Sequence, residues 1–350
     1  MLHGEIRNSK RGVPHCVVPV VCLLLSTLLL SCSSQKERVF KKSRALVDTL
    51  VTIQVVAERP EKAEKAIDRA FAEVKRLGNL LNFYSEESEL AKINRNAGIS
   101  DVKVSPETLE VIEEAVSTSK KTSGAFDVTI GPEIISWDFP EKRKPDDATI
   151  KERLNLVNYQ WIVIDREKST ISLTKRGMLI DLGGIAKGYI ADRAVEEMKR
   201  EGIVSGIVAV AGDIRAFGDK PDGRPWRVGI RNPRQSGSDD EIMAMIELKD
   251  MAISTSGDYE RFFIVDGNRY HHILDPTTGY PPEACRSVSV IAGEGAFADS
   301  YSTAVFILGP EKGMEALRKM GFEGLIVDEH GKVHTTDGLR DRIEFKRLGS

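Results

Sequence analysis

Cysteine is scarce in this 350-residue chain, which holds only four. Cys16, Cys22 and Cys32 lie close to the N-terminus, leaving Cys285 alone in the remainder, so no internal disulfide holds that part. A chain of this length needs none, because its core is large enough to sustain the fold. Histidine is also sparse. His330 and His334 are four apart, but Gly331 between them favours a surface hairpin over a zinc site. Positive charge is not in excess: 50 basic against 53 acidic residues leave a net charge of −3. Nucleic-acid binding needs a concentrated basic face, so that class of partner is not expected. No internal run is long and apolar enough to cross a bilayer as a helix, which excludes a polytopic membrane protein. What is present is 41% hydrophobic and 29% charged residues, the composition of an ordinary globule with a sizeable core.

The N-terminal segment reads as an address. Arg7, Lys10 and Arg11 precede an apolar run from Cys16 to Leu30, broken by Pro19, Ser26 and Thr27. A short, interrupted run behind a basic start has the form of a secretory signal. It ends in Leu29-Leu30-Ser31-Cys32, similar to a bacterial lipobox, although Leu30 is bulkier than the usual small residue. The expected organisation is a lipoprotein signal peptide over 1–31, a diacylated Cys32, a polar tether over 32–44 and one folded domain over 45–350. The protein would then be exported and lipid-anchored on the extracytoplasmic side of the inner or outer membrane. Ser33 in place of Asp leans toward the outer one. A plain signal cleaved nearby, or an uncleaved anchor, is the alternative.

Beyond the tether, strands and helices alternate. Val47, Thr49, Val51, Ile53 and Val55 have the period of a half-buried strand. Pro60 opens a helix carrying Ile67, Ala70, Phe71, Val74 and Leu77 at helical spacing, and Ser105-Pro106 caps and starts another. Short β-rich runs follow at 161–164, 170–173, 179–182, 207–210, 226–230, 241–248, 251–254, 262–265 and 287–292. Residues 231–240 form a loop tip. Several runs are hairpin-spaced, which predicts an α+β fold with a largely antiparallel sheet and packed helices.

The chemistry-bearing residues sit at strand ends. Asp181-Leu-Gly-Gly-Ile-Ala-Lys187-Gly188 lies between a predicted strand and a helix at 189–200. Adjacent glycines admit close backbone approach, a helix start offers N–H groups to an anion, and Lys187 adds a point charge. A glycine-rich turn with an exposed lysine is the plain alternative; the P-loop spacing is absent. Gly293-Glu-Gly-Ala-Phe-Ala298 matches the dinucleotide fingerprint only on paper, because no repeated βαβ unit follows it. Asp299 and Thr303, four apart at a helix start, face one way. A carboxylate, a hydroxyl and backbone carbonyls are hard ligands suited to Mg²⁺ that completes its shell with phosphate oxygens. Alternatively, Asp299 only complements the helix dipole and Thr303 bonds its own backbone. Read as surface-facing, Asp299 is expected to tolerate alanine without loss of fold. Ser254-Thr255-Ser256-Gly257 suits a phosphate- or ribose-binding loop, and Asp275-Pro-Thr-Thr-Gly279 is a turn.

Eight ordered motifs then resemble one family: Phe83-Tyr84-Ser-Glu-Glu-Ser-Glu-Leu90, Gly124-Ala-Phe-Asp127-Val-Thr-Ile-Gly-Pro132, Asp181–Gly188, Ala211-Gly-Asp213-Ile-Arg215, Trp226–Arg231, Ser254–Tyr259, His272-Ile-Leu-Asp-Pro-Thr-Thr-Gly279 and Ala298–Ala304. They resemble the ApbE family, the FAD:protein FMN transferases, from about Val47 to Gly309. The resemblance implies an ApbE-like α/β sandwich and a Mg²⁺-dependent phosphoryl transfer. FAD is the substrate, AMP leaves, and the FMN phosphoryl group passes to a Ser/Thr hydroxyl of a redox protein. Subunits of sodium-pumping NADH:quinone reductase or Rnf-type complexes are the implied acceptors. The resemblance also places Asp299 and Thr303 on the metal, with carbonyls of Gly184 and Ser302 assisting. It puts Lys187, Asp181 and Ser254–Gly257 beside the ligand, Tyr84 over the flavin and Gly124, Ala125, Phe126 and Asp127 along its pocket. His272 would help deprotonate the acceptor hydroxyl. Ala211 departs from the family, which usually has a glycine there. Hydrolysis of FAD to FMN and AMP, or binding without chemistry, are the alternatives.

Overall fold

A computed structural model describes residues 36–234, 241–340 and 342–346. The signal segment, Cys32 and the tip of the 231–240 loop lie outside the described residues. Nine-residue strands open the fold: β1 (Arg38–Leu46) pairs antiparallel with β2 (Thr49–Ala57). Residues 38–44, expected as part of the tether, are therefore a sheet strand. Half-buried Phe40 and Lys42 alternate with exposed Val39, Lys41 and Ser43, as in an edge strand with one wet face. In β2 the expected period holds, with Val51, Ile53 and Val55 fully buried.

The main sheet continues through β6 (Gly206–Val210), β7 (Asp213–Phe217), β10 (Ala252–Gly257), β13 (Cys285–Ala292), β14 (Glu323–Asp328) and β15 (Val333–Thr335), giving the order β1-β2-β6-β7-β10-β13-β14-β15. Every neighbouring pair is antiparallel. Helices α1 (Pro60–Leu80), α6 (Ala186–Arg200) and α7 (Gly295–Met320) cover one face, where Val208, Val290 and Ile326 point. Their sequence neighbours Ile207, Ile291 and Leu325 point the other way, against a three-stranded sheet of β8 (Trp226–Arg231), β9 (Ile242–Leu248) and β16 (Ile343–Phe345). The period of two thus makes the main sheet buried on both faces, and the α+β expectation holds as a three-layer arrangement.

The capping signals work as predicted. Ser105 accepts a hydrogen bond from Thr108 N at the start of α3 (Pro106–Lys121). Smaller helices are α2 (Glu89–Arg95), α4 (Gly131–Ile134) and α5 (Asp147–Leu154). A second small sheet joins β3 (Val102–Lys103), β5 (Thr170–Leu173) and β4 (Ile162–Asp165), and a hairpin joins β11 (Phe262–Val265) to β12 (Asn268–His271). Residues 179–182 are not a strand. Leu179 makes only an isolated parallel bridge to Ile130, Asp181 N donates to the Val128 carbonyl at 2.8 Å, and the Asn94 carboxamide brackets Ile180, donating to its carbonyl at 2.9 Å and accepting from its N–H at 2.7 Å. His334, in the β14–β15 hairpin, bonds Asp328 at 2.8 Å, consistent with the surface hairpin read from its spacing.

Ala211 turns the β6–β7 hairpin in the left-handed region, at φ 55°. A Cβ there is strained, which is why glycine suits the position. Ala211→Gly is expected to stabilise the protein by about 1 kcal/mol, read as a higher midpoint in urea unfolding.

Candidate active site

Three chain segments meet over the main sheet, where two helices begin. The glycine-rich turn at 183–185 leads into α6, α7 begins after β13, and β10 runs between them. The helices approach closely: a Cβ on Gly188 would stand 2.0 Å from the Gly295 carbonyl oxygen. Asp192 of α6 accepts from Ala296 N at 3.0 Å, capping α7 from its neighbour, and Arg215 lies 3.1 Å from the same carboxylate. This docking fixes the first turns of both helices against each other.

Asp299 comes out of that junction buried, at 3% exposure, and not surface-facing as expected. One carboxylate oxygen accepts from Gly188 N at 3.1 Å and from Lys187 Nζ at 3.4 Å. Lys187 Nζ also lies 2.9 Å from Asp213 and donates to the Gly183 carbonyl at 3.2 Å. Burial works against the ammonium charge, but Asp213 and Asp299 outweigh it and hold Lys187 above the ordinary lysine range. Burial pushes the Asp299 carboxyl up, the Asp213 charge pushes it further, and Lys187 pulls it back only in part.

A ladder of hydroxyls braces this cluster. Ser254 and Ser256, on the same face of β10, reach Ser302 at 3.3 and 2.8 Å, and Ser254 also donates to Asp213. Ser302 donates to the Asp299 carbonyl at 2.8 Å, and Ser256 lies 3.3 Å from the Thr303 hydroxyl. Ser254 and Ser302 are buried behind the site, whereas Ser256, Thr303 and Asp299 face the cavity. Thr255 borders the cavity too, with its hydroxyl on Ser289 at 2.8 Å.

The cavity encloses about 1690 Å³, and its walls include Tyr84, Phe126, Asp127, Asp181, Gly184, Lys187, Gly257 and His272. Tyr84 stands at its margin, 71% exposed, edge-on to Phe83. Asp127 is held in its turn by three donors, Thr129 N, Thr129 Oγ1 and Tyr159 N, at 2.7–2.9 Å. Its carboxylate therefore shapes the wall. Gly124 and Ala125 lie behind it, not among the wall residues, with Gly124 in the left-handed region at φ 84° after α3. The Asp181 carboxylate accepts from Gly183 N at 2.6 Å and tightens the turn into α6. His272 has lost most of its water and faces Arg261 and His271, which pushes its pKa down to about 3. Its ring is neutral, and Nδ1 has no partner among the described residues.

Among the described residues no three His, Cys, Asp or Glu side chains form a metal cage. The donors at Asp299 are of another kind: one carboxylate, the Thr303 hydroxyl and backbone carbonyl oxygen. A Cβ on Gly184 would fall 3.2 Å from Thr303 Oγ1, so only glycine leaves this corner open. Two carboxylates against one ammonium leave the cluster one positive charge short. Hard oxygens and that deficit fit Mg²⁺.

Sequence reading quoted Asp213 without giving it a role, and it gave no sign of Arg261 or of the aromatic wall. Trp137 packs against its near neighbour Phe139 and against Phe263, Tyr270 and Tyr280 from distant segments, beside the cavity. Beneath this wall Glu133 is fully buried, with no hydrogen-bond partner on either carboxylate oxygen among the described residues, against the turn at Gly279. Burial raises its pKa to about 7. Its folded value lies above the ordinary 4.5, so its contribution to stability is full below 4.5 and is lost as pH rises through 7. Glu133→Gln is expected to flatten stability between those limits, measured by urea midpoints across pH.

The ApbE family model matches residues 47–326. The FAD:protein FMN transferase of Treponema pallidum is 32% identical over 343 residues, covering 93% of this chain and 94% of that one. The Haemophilus influenzae enzyme of the same name is 32% identical over 296 residues, covering 82% and 84%. Among solved structures, the ApbE protein of Thermotoga maritima superposes with a TM-score of 0.81 at 34% identity, covering 87% of this chain and 99% of its own. The flavin transferase ApbE of Vibrio cholerae gives 0.78 at 29% identity, covering 87% and 99%. Seven of the eight motifs border this one cavity, Trp226–Arg231 lying instead in β8, and with a family match over most of its length this chain belongs to the ApbE family.

Proposed function

We propose that this protein is an FAD:protein FMN transferase that uses Mg²⁺ to pass the FMN phosphoryl group of FAD to a Ser/Thr hydroxyl, with AMP as the leaving group. The observation that carries this reading is the convergence of Asp299, Lys187, Asp213, Thr303 and Gly184 on one corner of the cavity. Phosphoryl transfer needs positioning and charge neutralisation more than covalent chemistry. Asp299, Thr303 and the Gly184 carbonyl, with Ser302 bracing from behind, would hold the cation, which supplies positive charge to the bridging diphosphate. Lys187 adds a fixed charge at the same oxygens. Tyr84 offers a ring face to the flavin. His272 at the cavity wall would accept the proton of the attacking hydroxyl once the negative diphosphate of bound FAD offsets the burial and the Arg261 charge that depress its basicity. The bond from the FMN phosphorus to the AMP oxygen breaks as the bond to the acceptor oxygen forms.

The reading includes export and a lipid anchor on Cys32, which would place the cavity beside membrane redox subunits such as those of sodium-pumping NADH:quinone reductase or Rnf-type complexes. Incubation with FAD and Mg²⁺, with and without a peptide carrying a Ser-Gly-Ala-Thr site, tests the chemistry. Flavin fluorescence on the peptide supports transfer. FMN and AMP formed with the peptide unlabelled would replace transfer by hydrolysis, and no turnover would leave binding alone.

A further inference from the structure

The β11–β12 hairpin has an open edge that begins at the cavity. Its turn residues Asp266 and Gly267 have φ of 52° and 81°, the geometry of a tight two-residue hairpin. The pair beside such a turn, Val265 with Asn268, exchanges hydrogen bonds, and pairs then alternate along the ladder. Phe263 and Val265 therefore turn their backbone groups to β12, and those of Phe262 and Ile264 face the opposite edge. The Arg261 carbonyl accepting from His272 N at 3.0 Å keeps the same alternation. Among the described residues the outer edge of β11 has no backbone partner.

Across the hairpin the Arg269 guanidinium stacks 3.7 Å from the centre of the Phe262 ring, but the strand's own residues do not blunt the edge. Phe262 is 40% exposed and Ile264 56%, and β11 itself carries neither charge nor proline. Sheet edges are ordinarily protected by such residues, because a bare apolar edge is a template for another strand. Arg261 and Phe262 also line the cavity, and so does Ile135, which is 53% exposed. The edge is thus continuous with the mouth through which an acceptor must enter.

We propose that an extended segment of the acceptor polypeptide adds to the outer edge of β11 as a third strand, bonding the backbone of Phe262 and Ile264 and covering their side chains. Pairing along β11 delivers the end of that segment to the mouth beside His272, where its hydroxyl meets the phosphorus. Backbone pairing supplies affinity that is indifferent to most of the acceptor sequence. This rests on the transferase reading above.

Two variants test it with the full-length protein, FAD, Mg²⁺ and the Ser-Gly-Ala-Thr peptide. Ile264→Pro removes an outward N–H that the hairpin does not use, and Ile264→Lys keeps the N–H but adds charge to the edge. The KM for the peptide is expected to rise about tenfold in the proline variant, equal to about 1.4 kcal/mol, with kcat and FAD affinity unchanged. A smaller rise in the lysine variant, which folds whether or not the proline is tolerated, supports the same site. An unchanged peptide KM in both variants overturns the docking edge while leaving the transferase reading in place. Failure of the wild-type protein to label the peptide at all overturns the transferase reading instead.

Discussion

Asp299→Asn is expected to reduce FMN transfer about 10³-fold, the scale of removing one electrostatic contact from a developing charge. The reason lies in what the carboxylate does at once. It faces the corner shared with Thr303 and Gly184, and it balances Lys187 at 3.4 Å. Asparagine keeps the shape and an oxygen for Gly188 N but not the charge. AMP release followed by chromatography checks the rate, and thermal unfolding checks the fold. Activity within a few-fold of wild type would remove Asp299 from the metal site and with it the proposed chemistry. Alanine is the less informative change. The buried carboxylate satisfies a backbone N–H and half of the ammonium's charge, so Asp299→Ala is expected to destabilise the protein by about 1–3 kcal/mol as well.

Gly188→Ala is expected to cost about 3 kcal/mol or more of stability and to abolish transfer. In an exposed helix the same change would stabilise by about 1 kcal/mol, so the sign itself is informative. The added methyl would meet the Gly295 carbonyl oxygen at 2.0 Å, its carbon at 2.4 Å and Ala296 N at 2.9 Å. These are backbone atoms that no rotamer change can move. Either α6 and α7 separate, losing the Asp192 cap on Ala296, or Lys187 and Asp299 shift relative to each other. Urea unfolding reads the first effect and AMP release the second. A variant as stable as wild type would show that the helices are not in backbone contact.

The same junction shows how far sequence reaches. The motif from Asp181 to Gly188 was legible as a glycine-rich turn into a helix start, because glycine pairs and a helix period are local signals. So was the pairing of Asp299 with Thr303, since four residues is one helical turn. That these two starts face each other, and that Asp213 completes the cluster, depends on strand order in the main sheet. Asp213 lies more than eighty residues from Asp299 in the chain. Residues 179–182 were misread for a related reason: their period is that of a strand, but an isolated bridge to Ile130 and the Asn94 side chain stand in for a ladder.

Periodicity, capping residues and turn chemistry act over a few neighbours, so the sequence by itself determined most of the helices and strands, the family the chain resembles and the motifs that line the cavity. The burial of Asp299, the depressed basicity of His272, the buried acid at Glu133 and the bare edge of β11 were decided only by tertiary structure. Each depends on what a distant segment brings close or leaves uncovered, and desolvation and charge act through space rather than along the chain.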